Sequence, residues 1–294
     1  MARSINIPGL LRLVIVRSAA EAAEVDEAAG VDRPLSGRGR LINRLIAAKL
    51  APFTTPDGQP WPAFAARLDA LRAERQSGLE EALSRSANLL QRLEPEISDL
   101  AAFVCDRLPG ASVGVIVQQA IGRLFFPDYR ATDDSYAAAV TLSTWLSAGP
   151  IKSLLLKRSG RFQAALDLVT QDARGNASCA HAIGIALHGI IESVILMQQL
   201  ASGSDQLHHL SPEEAVAQTL RAPARIIREA RDRVQGRHLQ LQSRSLILIP
   251  VESLRQQSAD RGAAFAAGRW NQCPAHAFVP SFLAQVWRVA RDSQ

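Results

Sequence analysis

The chain has 294 residues, 47% hydrophobic and 21% charged, the balance of an ordinary globular protein long enough to bury a sizeable core. Aromatics are only 5%, three cysteines cannot make a disulfide framework, and no apolar run reads as the roughly 20 residues a spanning helix needs. These figures exclude a cysteine-stapled secreted scaffold and an integral membrane protein, and the net charge of +5 is spread among interleaved acids.

Met1 to Val16 carries Arg3 and Arg12 but no long apolar core followed by a small-residue cleavage site, so no signal peptide is read and the cytoplasm is the expected compartment. Leu10 to Val16 is a short β-rich run, and Ser18 to Ala29 reads as a Ser-capped helix rich in Ala and Glu. Asp57-Gly58 opens a turn before an amphipathic stretch from Ala63 to Leu93. Ile97 to Leu108 is the next helix, with Pro95 near its start, where a missing N–H costs little. Val113 to Leu124, Ser135 to Leu146 and Phe162 to Val169 follow, and Cys179 to Leu200 is the most apolar helix. Ser211-Pro212-Glu213-Glu214 caps a helix running to about Arg221, before Pro223. Ile226 to Pro250 then alternates and ends in Leu246-Ile247-Leu248-Ile249, the mark of a small sheet. Beyond Gly262 an irregular stretch carries Cys273-Pro274, and Phe278 to Ala290 closes as an apolar helix. No internal repeat, low-complexity tract or linker divides residues 1–294, so the expectation is one mainly helical domain with a minor sheet.

The common catalytic motifs are missing. There is no phosphate-cradling Gly-Lys loop, no Gly-rich dinucleotide turn, no G-x-S-x-G elbow, no C-x-x-C and no H-E-x-x-H. His181, His188 and Glu192 fall near one helical face, but histidines seven residues apart are separated by ~10 Å along the axis, too far to share one ion unaided. From Arg221 to Arg244 seven arginines face two acids, a stretch that is either a solvated face or an anion-binding surface.

The order of the C-terminal elements resembles a shortened, divergent cytochrome P-450. The likeness is carried by Gln218-Thr219-Leu220-Arg221, by Arg228-Glu229-Ala230, by Gly236-Arg237-His238 and by Leu246-Ile247-Leu248-Ile249-Pro250. In that family these positions are the Glu-x-x-Arg helix, the strand whose Arg binds a haem propionate, and a Gly-turn hairpin. Phe265-Ala266-Ala267-Gly268-Arg269-Trp270-Asn271-Gln272-Cys273-Pro274-Ala275 resembles the haem-ligand loop Phe-x-x-Gly-x-x-x-Cys-x-Gly/Ala. There are departures. Gln218 replaces the family's Glu, so a buried ion pair with Arg221 becomes a neutral hydrogen bond. The Cys loop has one extra residue, and Asn271 stands where a basic residue usually meets a propionate. Glu252 to Ala263 is too short for the family's extra helix and meander.

What the resemblance implies is a haem-thiolate enzyme of cytochrome P-450-like fold, truncated relative to the family. Haem b would take Cys273 as its axial iron ligand, since a thiolate pushes electron density onto the metal. Arg228 would offer a guanidinium fork to a propionate, with Arg269 as a substitute partner, and Phe265 and Trp270 would pack near the cofactor. On the long helix, Gly189 would leave room above the haem, and Glu192-Ser193 resembles the acid–alcohol pair that relays protons. Each has a plainer reading beside it: an inert buried Cys, a surface Arg on a strand, a Glu at the solvent edge of an apolar helix.

The implied substrate is a small apolar molecule, transformed by oxidation or by a rearrangement or dehydration that needs no redox partner. The missing proximal elements argue against an electron-donor protein. No nucleic acid and no membrane is expected as a partner, while a shortened domain can dimerise to cover exposed core. The alternative is a haem-free relative kept as an accessory or scaffold protein.

Overall fold

The computed structural model describes residues 2–35, 37–69, 79–80, 83, 87–202, 209–221, 223, 225–258 and 272–293. The chain packs as two compact units with interleaved sequences: Met1–Thr54, Ala63–Glu74 and Ala222–Cys273 in the first, Thr55–Pro62, Arg75–Arg221 and Pro274–Gln294 in the second.

The first unit carries the sheet. Its strands are β1 (Arg3–Ile7), β2 (Leu11–Ile15), β3 (Val31–Asp32), β4 (Ile226–Ala230), β5 (Val234–Gln235), β6 (Gln240–Leu241) and β7 (Leu246–Ile249). Five of them lie in the order β1-β2-β7-β4-β3, and β5 pairs with β6 as a separate ladder. The β1–β2 hairpin turns through Pro8-Gly9-Leu10, with Gly9 at φ 69°, a conformation that glycine adopts without steric cost. β2 runs parallel to β7, Leu13 opposite Leu246, so one sheet joins the beginning of the chain to its last third. Val14, Val16, Val25, Val31, Ile247 and Ile249 fill the core beneath it.

Two helices of this unit show different ways to begin. Ala19–Glu27 starts on a local signal, the Ser18 side chain accepting the N–H of Glu21. Leu41–Leu50 has no capping side chain. Its first amides instead donate to the hairpin: Leu41 to Gly9 O at 3.2 Å and Ile42 to Leu10 O at 3.1 Å. That is a cap made by tertiary contact, and the sequence carries no local mark of it. Val251–Ser258 is also helical, within the stretch expected to be too short for an extra helix and a meander together.

Charge is buried in this unit only where it is bonded. Asp32, 1% exposed, accepts the N–H of Arg33 at 2.7 Å and of Arg67 at 2.9 Å, and pairs with Arg231. Glu229 on β4, equally buried, accepts from the Asn43 amide at 2.8 Å.

The second unit is helical: Ala87–Arg92, Glu94–Val104, Val113–Phe125, Asp133–Ser147, Pro150–Arg158, Arg161–Asp172, the long helix Ala177–Ser202, Pro212–Thr219 and Phe278–Asp292. Capping boxes at Thr132/Ser135 and Ser211/Glu214 begin two of them, and Pro95, Pro150 and Pro212 occupy first turns where no intrahelical N–H is lost. The closing helix Phe278–Asp292 packs on Glu94–Val104 and Pro212–Thr219. Arg123 Nη1 donates to both carboxylate oxygens of Glu96 at 2.7 and 2.9 Å, tying two helices through a carboxylate only 6% exposed. The amphipathic stretch expected from Ala63 opens as a single 3-10 turn, Pro62–Phe64, and its middle lies outside the described residues.

Candidate functional site

The long helix has the length and hydropathy to cross a membrane, which the sequence reading did not credit to it, but half of its most apolar window is buried inside the protein. Leu187, Val194 and Met197 are fully buried, as in a core helix. Asn176 caps it by accepting the N–H of Cys179 at 2.9 Å. Burial, and then the nearby Asp172 carboxylate, push the Cys179 thiol up to about 12, so this cysteine is an inert core residue.

The helix is not regular. Ala182–Ala186 is a π-turn, closed by the Leu187 N–H donating to Ala182 O, five residues back. Such a turn leaves carbonyls that no longer find the usual helical donor. The fully buried Gln118 supplies one: its Nε2 donates to Ile183 O at 3.0 Å and to Ser135 O at 3.1 Å, while its Oε1 accepts from the Ser135 hydroxyl at 2.7 Å. A single amide therefore links Val113–Phe125, Asp133–Ser147 and the π-turn. Gly184 is required there, since a Cβ would sit 2.9 Å from Val169 and 3.3 Å from Leu142. Neither Gln118 nor the π-turn was read from the sequence, whose pointer was the glutamine pair Gln118-Gln119 in the apolar run Val113 to Leu124.

Downstream of the π-turn lie the residues expected to form a proton relay. Ser193 is fully buried, donates its hydroxyl to Gly189 O at 2.7 Å and accepts the Arg221 N–H at 3.0 Å. Gly189 faces the same backbone, with Arg221 O 4.0 Å from the position of a Cβ. Gly189 and Ser193 thus dock the chain that leaves Pro212–Thr219. Glu192 is exposed. The Ser193 hydroxyl is thus bonded to backbone on both sides, while the neighbouring Glu192 faces solvent. His188 is half-buried with Nε2 3.2 Å from Ala139 O, and burial lowers its basicity. Among the described residues no three His, Cys, Asp or Glu side chains gather around a common metal position.

Gln218 and Arg221 are both exposed, which corrects the expectation of a buried pair there; the helix turns Thr219 and Leu220 inward instead. In the first unit, Arg228 on β4 is 7% exposed and donates to Ile227 O at 3.0 Å, so it is not the surface arginine of the plainer reading. Cys273 is half-buried, one residue before the 3-10 turn Pro274–His276 that leads into the closing helix. Phe265, Arg269 and Trp270, with Gly268 and Asn271, lie outside the described residues. Cys273 offers one soft sulfur donor and Arg228 one buried guanidinium able to neutralise a carboxylate, donor types that a haem-thiolate group would need.

No protein-family model matches the chain, and no curated protein matches it. Solved structures do, along almost its whole length. Cytochrome P-450EX alpha aligns over 98% of this chain and 82% of its own, at 11% identity and a TM-score of 0.63. The Mycobacterium smegmatis protein CYP164A2 aligns over 99% and 86%, at 15% identity and a TM-score of 0.62. A cytochrome P-450 from Thermus thermophilus aligns over 97% and 85%, at 11% identity and a TM-score of 0.64. The chain therefore has the cytochrome P-450 fold, in a shortened form, mainly helical with a small sheet.

Proposed function

We propose that this chain is a haem-thiolate protein of the cytochrome P-450 type that acts on an apolar substrate, with Cys273 as the axial ligand and Arg228 as a propionate partner. The observation that carries the reading is the half-buried Cys273 placed directly ahead of the closing helix of a cytochrome P-450 fold. An iron held by a thiolate would supply oxidative chemistry or the rearrangement of an already oxidised substrate. The chain's own residues supply the setting. Arg228 brings a permanent positive charge into the interior, where a carboxylate is its natural counterpart. The π-turn held by Gln118 fixes the register of the helix from Leu187 onward.

Several proteins of this fold were solved with fatty acyl compounds, which supports an apolar, acyl-like substrate. Cytochrome P-450EX alpha holds myristic acid, a variant of cytochrome P-450 OleT holds arachidonic acid, and cytochrome P-450BioI holds hexadec-9Z-enoic acid ligated to acyl carrier protein. The commitment of Ser193 to backbone favours a reaction that needs no proton delivery to bound oxygen, and so favours redox-partner-independent rearrangement or dehydration over monooxygenation. The same observation is compatible with the haem-free accessory reading. One spectrum separates the two. The purified protein should contain near-stoichiometric haem and show a strongly red-shifted reduced-carbonyl band that Cys273→Ser and Cys273→Ala abolish. A colourless protein that cannot be reconstituted, or a band unchanged in both variants, would overturn the haem-thiolate reading.

A further inference from the structure

The helix Pro150–Arg158 was not anticipated, and its exposure pattern is unlike that of its neighbours. It is bracketed by Gly149 and by Ser159-Gly160 and packs against Asp133–Ser147 and Arg161–Asp172. At its centre Leu154 and Leu155 are 49% and 61% exposed, adjacent apolar side chains facing water. Around them stand Lys152, Lys157, Arg158 and Arg161, all exposed. Residues 135–166 contain no Asp or Glu, so this run carries four cations and no anion. Two of the protein's three lysines are here, Lys49 being the third.

The cations are also uncommitted. Two other arginines of the same unit are paired, Arg123 with Glu96 at 2.7 Å and Arg174 with Asp128 at 2.7 Å. None of Lys152, Lys157, Arg158 and Arg161 enters an ion pair among the described residues.

We propose that Pro150–Arg158 is a peripheral docking face for an anionic lipid surface. A helix lying in the headgroup region buries apolar side chains in the acyl boundary while its cations meet lipid phosphates, and this helix offers both groups side by side. An acidic protein would satisfy the cations, but it would have to present an apolar patch shaped to the two leucines. A bilayer supplies charge and apolar depth with no shape requirement. The sequence-based expectation of no membrane partner rested on the lack of a spanning run, which bears on insertion through a bilayer and not on contact with its surface.

The test is sedimentation of the full-length protein with vesicles of phosphatidylcholine alone, and with vesicles of two parts phosphatidylcholine to one part phosphatidylglycerol. Binding should favour the anionic vesicles by roughly tenfold or more, and should fall at about 0.5 M salt, where charges are screened within a few ångströms. Leu154→Ser with Leu155→Ser, and separately Lys152→Glu with Lys157→Glu, should each lose about tenfold in binding. Arg233→Glu with Arg237→Glu changes the net charge equally at two exposed positions of the first unit and should leave binding intact. Equal binding to both vesicle types, no loss in the helix variants, or an equal loss in the Arg233/Arg237 variant would overturn the proposal. So would binding to polyglutamate without binding to anionic vesicles, which would give the face to an acidic protein.

Discussion

The two units bury polar groups of different kinds. Among the described residues, the buried polar side chains of the first include Glu21, Asp26, Asp32, Arg33, Arg228 and Glu229; in the second they are almost all neutral, among them Gln118, Ser135, Thr170, Ser193 and Thr219, with Glu96 as the charged exception. Helices satisfy their own backbone, so a helical core needs polar side chains only at ends and irregularities, where a hydroxyl or an amide suffices. Short strands joined by turns leave backbone donors without a partner in a ladder. Asp32 answers two such donors, the N–H groups of Arg33 and Arg67, from one carboxylate. Buried charge in the first unit thus follows from its irregular backbone, and the buried arginine on β4 lies in the unit already built to hold ions.

That contrast can be broken at its strongest point. Asp32→Ala should destabilise the protein by roughly 3 kcal/mol, because two buried N–H groups lose their acceptor and Arg231 loses its partner; urea unfolding should show the loss first in the sheet. A cost under about 1 kcal/mol would mean that the first unit does not depend on its ions.

The neutral counterpart in the second unit is Gln118. Gln118→Leu keeps much of the volume but removes three hydrogen bonds, and should cost about 2 kcal/mol. Amide exchange should accelerate at Leu187 and His188, around the π-turn, more than at Val194 and Met197. Uniform acceleration along the helix would show that the amide contributes stability without fixing the turn.

A local signal should matter less than either. Ser211→Ala removes the acceptor for the Glu214 N–H and half of a capping box, an expected loss of about 1 kcal/mol in a helix that also contacts the closing helix.

The smallest effect is a pH slope. Burial lowers the basicity of His188 below the ordinary imidazole value of 6.5, so the unfolded chain binds its proton more readily than the folded one. The stability this contributes is complete above 6.5 and declines as pH falls from there toward the folded value. His188→Gln should flatten the stability profile between neutral and mildly acidic pH, and an unchanged slope would remove the histidine from the account.

Much of the fold is legible in the residues because its signals are local. Ser18 and Ser211 announce two helices within a few residues of their starts, and Leu246 to Ile249 announces a strand by composition. The helix Leu41–Leu50 is silent because its cap is a pair of carbonyls, Gly9 O and Leu10 O, brought to it by a hairpin. Pro150–Arg158 is silent for another reason: nine residues are too short for a clear period, and with its leucines outward it does not present the apolar face that a period search detects. At the candidate site, a cysteine loop and a strand arginine can be read in order along the chain. The partners of Ser193 cannot, since the Arg221 amide lies 28 positions away and is joined only by the way two helices pack.

The amino-acid sequence by itself determined the helical class, the presence of a small sheet and the order of elements that resembles a cytochrome P-450, because periodicity, caps and turn residues act over a few residues. Tertiary structure alone decided that β2 lies beside β7, that Ser193 holds backbone rather than an acid, that Gln118 braces a π-turn, and that Leu154 and Leu155 face water. Each of these depends on which distant groups meet, and a hydrogen bond or a buried face has no signature in the residues that make it until the chain has brought them together.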